Sequence, residues 1–376
     1  MDFTYLDNAA TTKPCAAATE ATLSAMQSVW GNPSSLHDFG LQAEQLVSSA
    51  RQTIANRLEC DPNEIYFTSG GTEANNTAVF GAAEALSRRG KRIVTTAVEH
   101  SSVQAATDLL EQRGFEVVRL KPNAQGQISA DAVFEAVTKD TVLVTMMLVN
   151  NETGAIFPVA AAKEALLQAG SPGLVHCDAV QAFGKTRFTP TELGADLVSI
   201  SSHKVHGPKG VGALYKARKA RILPLLYGGE QQSRLRPGTE AVPLIAGFGA
   251  AAQEPFDFAD TTVAQLNAYA RQRLATLPQV QMNIPEGGSP YILNFSVLGY
   301  RSETLLHFLA ARGIYVSSGS ACAKGKPSHV LTAMGLPQNR ADSALRLSFC
   351  RHNTQKDIDA LVAALQVATT TLRAKG

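Results

Sequence analysis

The chain has 376 residues, of which 45% are hydrophobic and 18% charged, and its formal net charge is +2. This balance is typical of a globular protein with a sizeable core, built as two domains or as one large domain with a smaller one attached. We expect no nucleic acid as a partner, because no Lys/Arg block is evident, and no membrane span, because no apolar run is long enough. We also expect no signal peptide, because the first residues lack a basic start and an apolar core.

The N-terminal part is predicted to begin with a short extended segment of small polar residues, 5–12, which could line a pocket. Two helices are predicted next, over 14–29 and 42–58, with a loop at 31–35 between them. A strand at 65–68 is followed by Ser69-Gly70-Gly71-Thr72 and the start of a helix. Free N–H groups and the helix dipole would favour a phosphate there. The spacing matches neither GxGxxG nor a P-loop, so a plain tight turn remains an alternative.

Beyond this point strands and helices alternate, and polar residues follow one strand after another. The predicted strands lie at 92–97, 115–120, 141–149, 174–177 and 196–200, and the helices between them lie at 103–113, 130–137 and 159–168. Glu99-His100, Asn150-Asn151 and the segment 178–181 all directly follow strands. We therefore expect a mostly parallel sheet whose strand ends meet at one active edge.

The strand at 196–200 leads into Ser201-Ser202-His203-Lys204, and a glycine-rich stretch with one proline follows at 207–212. A lysine that is partly desolvated at a strand end would have a lowered pKa and could form an imine with an aldehyde. Taken alone, such a stretch is more often a turn with a solvated surface lysine, and the other motifs of the chain are what favour the reactive amine.

The C-terminal part is predicted to form a smaller α+β domain. A polar, proline-bearing junction at 253–260 follows a helix at 242–252 and marks the boundary. The predicted elements beyond it are helices at 263–277, 302–312 and 355–372 and strands at 292–296, 314–316 and 344–349. We expect a large domain over 14–255 and a small one formed by 1–13 and 256–376.

The five cysteines are scattered and include no CxxC pair, which predicts free thiols in the cytoplasm and neither disulfides nor a metal site. They are Cys15, Cys60, Cys177, Cys322 and Cys350. Cys322 lies between Gly319 and Gly325, and Lys324 and Lys326 follow it. Glycines allow movement and nearby cations favour thiolate, so Cys322 is the candidate for a reactive thiol.

Together these motifs resemble those of cysteine desulfurases of the NifS/IscS type, which are class V members of the pyridoxal-phosphate aminotransferase fold (fold type I). The matching motifs occur in family order at 5–12, 68–76, 99–100, 150–154, 178–181, 201–212, 236–239, 317–322 and 346. The resemblance implies an α/β large domain with a mostly parallel mixed sheet between helices, and a smaller α+β domain. Among the reactions that this fold supports, the stretch Ser-Ser-Gly-Ser-Ala-Cys at 317–322 is what implies cysteine desulfuration.

The resemblance also implies pyridoxal 5'-phosphate as cofactor, carried by Lys204 as an imine. Asp178 would pair with the ring nitrogen and Gln181 with the ring oxygen, while His100 would stack on the ring. The phosphate would be held by Gly71, Thr72, Ser201 and His203, with Thr239 supplied by the neighbouring subunit of a homodimer.

The implied reaction converts L-cysteine to L-alanine. Arg346 and Asn151 would bind the substrate carboxylate, and Asn8 would line the substrate pocket. Either Lys204 or His100 would remove the α-proton.

The thiolate of Cys322 would then take the sulfur as a persulfide and pass it to an acceptor. That acceptor could be a scaffold for iron–sulfur clusters or a thiolation enzyme for tRNA or thiamine. Only four residues, 323–326, separate Cys322 from Pro327, and so short a tether makes a dedicated thiolation enzyme as plausible as a scaffold.

Three other functions remain open at this point. A selenocysteine lyase or a class V aminotransferase would share the fold and the cofactor. A sulfur carrier or scaffold without catalysis belongs to a different class, but the intact set of Lys204, Asp178, His100 and Arg346 argues against it.

Overall fold

The computed structural model describes residues 3–254, 261–319 and 328–373. The helices are α1 Ala16–Ser28, α2 Asp38–Leu58, α3 Gly71–Leu86, α4 Ser101–Gln112, α5 Ala130–Ala136, α6 Val159–Gln168, α7 Val242–Gln253, α8 Thr261–Leu274, α9 Ser302–Ala310, α10 His329–Ala333, α11 Gln338–Asp342 and α12 Gln355–Thr371. The strands are β1 Thr4–Tyr5, β2 Ile65–Thr68, β3 Arg92–Thr96, β4 Glu116–Leu120, β5 Thr141–Met147, β6 Leu174–Asp178, β7 Leu197–Ser201, β8 Gly212–Lys216, β9 Val280–Met282, β10 Ile292–Val297, β11 Ile314–Tyr315 and β12 Ala344–Ser348.

The largest sheet has seven strands in the order β2-β8-β7-β6-β5-β3-β4. Strand β8 runs antiparallel to both of its neighbours, and the remaining pairs are parallel. The predicted fold class, a mostly parallel mixed sheet between helices, is confirmed.

Helices cover both faces of this sheet because its strands are apolar on both faces. Ile93 and Leu197 pack in one core with the apolar residues of α3 and α4. The next residue of each strand, Val94 and Val198, packs in another core with α2, α6 and α7. Side chains alternate along a strand, so consecutive apolar residues supply both cores.

A second region is built around the antiparallel sheet β12-β10-β9. Its core combines these strands with α8, α9 and α12, and also includes Leu6 near the N-terminus. Strand β1 pairs in parallel with β11, so the first residues of the chain join this C-terminal region. The division into domains at 14–255 against 1–13 and 256–376 stays a prediction, and residues 255–260 lie outside the described part.

The predicted elements match the structure except at their ends and in short segments. Helix α2 begins at Asp38, four residues before the predicted start at 42, because His37 caps it by accepting a hydrogen bond from the Gly40 amide at 3.2 Å. Glycine suits position 40, since a Cβ there would lie 2.3 Å from the Ser35 carbonyl oxygen. Strands β8 and β9 and helices α10 and α11 have three to five residues each and were not predicted.

Candidate active site

A cavity of about 270 Å³ opens where β5, β6 and β7 end. Most of the site residues predicted from the sequence lie in its wall: Gly71, Thr72, His100, Asn151, Asp178, Gln181, Ser201, His203, Lys204 and Arg346. Side chains from strand ends and helix starts that are distant in the sequence therefore meet at one place, as expected at the carboxyl edge of a parallel sheet.

Lys204 ends a short 3₁₀ turn that directly follows β7. Its Nζ donates hydrogen bonds to the carbonyl oxygens of Ala9 at 2.6 Å and Ala10 at 2.8 Å. Burial lowers the pKa of Lys204 to about 7, and the positive charges of Lys185 and Arg346 contribute to the same shift. A neutral, nucleophilic amine is therefore accessible near neutral pH.

Asp178, the last residue of β6, is 5% exposed. Its Oδ2 accepts a hydrogen bond from Asn75 Nδ2 at 2.7 Å, and its Oδ1 accepts one from the Val180 amide at 3.0 Å. Two donors thus fix the plane of this carboxylate where it faces the cavity.

His100 is the N-cap of α4. Its Nδ1 accepts the backbone N–H of Ser102 at 3.2 Å and lies 2.8 Å from the Ser102 hydroxyl oxygen. Burial lowers the pKa of His100; Asp178 opposes this shift, and Lys204 and His329 add to it. The neutral imidazole is therefore favoured.

The end of the cavity near α3 fits a phosphate. Gly70, the N-cap of α3, adopts φ 151° and no side chain caps the helix, so its first N–H groups are left for a ligand. Ser201 is 2% exposed beside this helix start. His203 lies 3.2 Å through Nδ1 from Thr11 Oγ1, and burial, assisted by the charge of Lys204, lowers its pKa to about 4.

Arg346, on β12, is a guanidinium that is only 1% exposed. Its Nη2 donates to Asp7 Oδ1 at 2.8 Å and its Nη1 donates to the Asn151 carbonyl oxygen at 2.8 Å. Its Nε has no partner among the described residues. The side chain is thus held by two neighbours and keeps unused N–H groups at a cavity that could accept a carboxylate.

Asn8 does not reach the cavity wall, and Thr239, which was expected to serve a neighbouring subunit, does not line this cavity. The Asn8 amide instead donates to the Ser348 carbonyl oxygen at 2.8 Å and to Asn353 Oδ1 at 3.1 Å, and Ala9 forms the wall at this point. Thr239 is exposed, on a turn that follows Arg236, whose Nε pairs with Glu73 Oε1 at 2.9 Å. Cys322 lies outside the described residues.

Three contributors to the site were missed from the sequence: Asn75, Ser102 and Asp7. Ser102 is the second residue of α4, two positions after the N-cap His100, and this spacing was the signal available for it. The contacts of Asn75 with Asp178 and of Asp7 with Arg346 join residues 103 and 339 positions apart, and no local pattern encodes such pairs.

Within the described ranges, no three His, Cys, Asp or Glu residues are grouped so that they could hold a metal ion. In the same residues, no helix combines the length and the apolar character needed to cross a membrane.

Comparison with known proteins agrees with the geometry. The family model of class-V aminotransferases matches residues 4–361. A cysteine desulfurase of Trichormus azollae is 39% identical over 384 residues, which covers 100% of this chain and 94% of that protein. A solved NifS-like protein superposes with a TM-score of 0.93 at 34% identity, covering 99% of this chain and 100% of that one.

The solved structure of SspA in complex with cysteine gives a TM-score of 0.82 at 32% identity and covers 93% of this chain and 100% of that chain. Likeness at this level, over nearly full length in each case, establishes the family. The chain belongs to the class-V aminotransferases and, within them, to the pyridoxal-phosphate-dependent cysteine desulfurases of the NifS/IscS type.

Proposed function

We propose that the protein converts L-cysteine to L-alanine and retains the sulfur as a persulfide on Cys322. The observation that carries this proposal is that one cavity joins an amine of lowered pKa, a buried carboxylate and a buried guanidinium: Lys204, Asp178 and Arg346. These groups match the aldehyde, the ring nitrogen and the substrate carboxylate that such a reaction has to accommodate.

The residues present fit pyridoxal phosphate. Lys204 would hold the aldehyde carbon, Asp178 the ring nitrogen and Gln181 the ring oxygen. His100 would lie against the ring, and the phosphate would be held by Gly71, Thr72, Ser201 and His203. When bound, the cofactor supplies a conjugated ring that accepts the electron pair released at the substrate α-carbon.

The uncapped start of α3 is the strongest support for the phosphate assignment. Space is also tight there, because a Cβ added to Gly71 would lie 2.9 Å from Val180 Cγ2. A larger residue at position 71 would therefore displace the Val180 side chain, which lines the same cavity.

Arg346 would bind the substrate carboxylate together with Asn151. Its contacts with Asp7 and with the Asn151 carbonyl fix the guanidinium plane before a ligand arrives. A preformed fork of this kind loses little conformational entropy on binding. The carboxylate end of the substrate would thus determine where its α-carbon and sulfur lie.

Cys322 would act as the nucleophile towards sulfur. A new S–S bond forms between its thiolate and the substrate sulfur as the substrate C–S bond breaks. The substrate β-carbon takes up a proton, and the product that leaves is alanine.

The segment that precedes Cys322 is anchored next to the site, because Ser317 and Arg346 exchange two backbone hydrogen bonds, at 3.1 and 2.6 Å. Cys322 is three residues beyond Gly319, so the chain can extend at most roughly 11 Å from Gly319 to Cys322.

We further propose a homodimer in which Thr239 reaches the phosphate site of the partner subunit. Thr239 is exposed and the ion pair between Arg236 and Glu73 holds its turn beside the start of α3. Leu226 and Tyr227, which are 44% and 81% exposed, supply apolar surface on the same connection between β8 and α7.

The sulfur acceptor is proposed to be either an iron–sulfur cluster scaffold or a thiolation enzyme for tRNA or thiamine. A cytoplasmic location belongs to the same proposal and is supported by the free thiols of Cys15, Cys60, Cys177 and Cys350.

The decisive experiment is incubation of the purified holoenzyme with sulfur-labelled L-cysteine, followed by mass measurement of the peptide that contains Cys322. We expect one added sulfur on this peptide and one alanine per turnover, without any keto acid. Cys15→Ser is the matched control, because serine can keep the N-cap contact that Cys15 Sγ makes with the Ala18 amide. Full sulfide release by Cys322→Ser would refute the nucleophile.

The same experiment separates the alternatives. An aminotransferase would need a keto acid, a selenocysteine lyase would turn over selenocysteine but little cysteine, and a carrier without catalysis would give no alanine.

A further inference from the structure

A chain of buried hydrogen bonds connects Asp178 to His100. Asn75 Nδ2 lies 2.7 Å from Asp178 Oδ2 and 2.9 Å from Ser102 Oγ. Ser102 Oγ in turn lies 2.8 Å from His100 Nδ1. Asn75 and Ser102 are 1% and 7% exposed, so water competes little for these bonds and their direction is well determined.

The direction of each bond follows from the chemistry of its two atoms. A carboxylate only accepts hydrogen bonds, so the amide nitrogen of Asn75 has to face Asp178, and its second hydrogen then goes to Ser102 Oγ. The single hydrogen of the Ser102 hydroxyl is left to point at His100 Nδ1. This nitrogen also receives the Ser102 backbone N–H. Nδ1 is thus the accepting nitrogen, and the proton of the neutral ring lies on Nε2.

We propose that Asn75 and Ser102 are positioning residues that hold His100 as the neutral imidazole with its proton on Nε2. This inference rests on the proposed desulfurase function and deepens it. Nε2 has no hydrogen-bond partner among the described residues, and His100 lines the cavity, so Nε2 is the nitrogen left to meet a ligand.

The arrangement is the reverse of a Ser-His-Asp triad. In a triad a carboxylate accepts from Nδ1–H, and the other ring nitrogen is left as a base. Here a hydroxyl donates to Nδ1, so the nitrogen left for the ligand carries a proton and cannot accept another. The amide and the hydroxyl also separate His100 from the charge of Asp178, which favours the neutral ring over the imidazolium.

The consequence for the reaction concerns the α-proton of L-cysteine. Since His100 cannot accept a proton at Nε2, the base is the neutral amine of Lys204. The Cα–H bond of the substrate breaks, its proton goes to Lys204 Nζ, and its electron pair stays with the α-carbon. His100 is left to donate its Nε2 proton or a hydrogen bond.

The first test compares holoenzyme variants in sulfide release from L-cysteine. We expect Ser102→Ala to lower kcat about tenfold, less than removal of the acid itself because the backbone N–H remains. KM should change by less than about twofold. Ser102→Thr should restore most of kcat because it restores the hydroxyl. The matched control is Ser101→Ala, which alters the exposed neighbouring serine and should leave kcat unchanged.

A second control separates positioning from packing. Asn76 Nδ2 donates to the Ser102 backbone carbonyl at 2.9 Å, so Asn76→Ala loosens the tie between α3 and α4 but leaves the chain to His100 intact. If Ser102→Ala acts only through loss of this packing, Asn76→Ala will match it, Ser102→Thr will not rescue, and the inference is overturned.

The second test reads the tautomer directly and needs no turnover. Nitrogen-15 spectra of histidine-labelled protein, with the His100 signals identified by their loss in His100→Gln, should show unprotonated Nδ1 and protonated Nε2 in both apo- and holoenzyme. Protonated Nδ1 in the neutral ring would overturn the inference. If wild-type holoenzyme releases no sulfide, the proposed function fails, while the spectra still decide the tautomer.

Discussion

The half-buried His100 at the cavity and the fully buried His176 in the interior of the sheet show two uses of a histidine. His176 Nδ1 lies 2.8 Å from Thr145 Oγ1 and its Nε2 lies 2.9 Å from Ser199 Oγ, so both nitrogens are occupied. His100 uses only Nδ1, for Ser102. Burial lowers the pKa of both rings. The pKa is thus lowered in both rings, and their roles differ in the number of ring nitrogens left for a ligand.

The largest effect should come from the amine that faces the same cavity as His100. We expect Lys204→Ala to lower sulfide release by at least about 10⁴-fold and to abolish the absorbance of lysine-bound cofactor, because no other group would carry the aldehyde. Lys13→Ala, an exposed lysine of the neighbouring segment, is the control for both readouts. Cofactor absorbance that persists in Lys204→Ala would contradict the assignment.

The difference in role between His100 and His176 can be tested by replacing each of them with alanine. We expect His100→Ala to lower kcat by about 10²-fold or more with little loss of stability. His176→Ala should lower the free energy of unfolding by about 1–3 kcal/mol, because it leaves the hydroxyls of Thr145 and Ser199 without this partner, and should nearly preserve kcat. Urea unfolding and steady-state kinetics on both variants measure this. A catalytic loss in His176→Ala as large as that in His100→Ala would break the distinction.

A smaller effect should appear in the pH dependence of cofactor capture by apoenzyme. The pKa of Lys204 is lowered to about 7, so the neutral amine increases through this pH and the capture rate should rise and then level off above it. Lys185→Met removes a like charge and should move the rise to higher pH. Stopped-flow absorbance from about pH 6 to about pH 9 checks both statements. An unshifted curve in Lys185→Met would show that burial alone sets the pKa.

The smallest effect should be a loss of stability in acid that comes from the interior histidine. Burial lowers the pKa of His176 to about 4, below its ordinary value, so between these values the unfolded chain binds a proton that the native state does not. The part of the free energy of unfolding that depends on neutral His176 is complete above about pH 6.5. It falls by on the order of 2 kcal/mol between about pH 7 and about pH 5. Urea unfolding at the two pH values should show a shallower dependence in His176→Asn. An identical slope would assign the acid sensitivity to other groups.

Much of the fold could be predicted because the strands of the large sheet are buried on both faces and read as continuous apolar runs. All seven residues of β5 are buried, for example. His176 shows the limit of this signal, since it lies within such a run and its partners, Thr145 and Ser199, come from the two neighbouring strands.

The candidate site was predicted largely through motifs, and motifs fix residue types better than side-chain directions. The segment 5–12 was expected to line the pocket, but Asn8 turns towards Ser348 and Ala9 takes its place. In a two-residue strand such as β1, no alternation is long enough to show which side chain faces which way. The pairing of Asp7 with Arg346 was hidden for a different reason, because its two members come from opposite ends of the chain.

The peptide at Ala9 joins parts of the molecule that the sequence keeps far apart. Its carbonyl oxygen accepts from Lys204 Nζ at 2.6 Å and from Gln181 Nε2 at 2.9 Å, while its amide donates to Ser348 Oγ at 2.7 Å. This one peptide therefore links the position of the Lys204 amine to the strand that carries both Arg346 and Ser348, so that a displacement of either part of the site would be transmitted to the other.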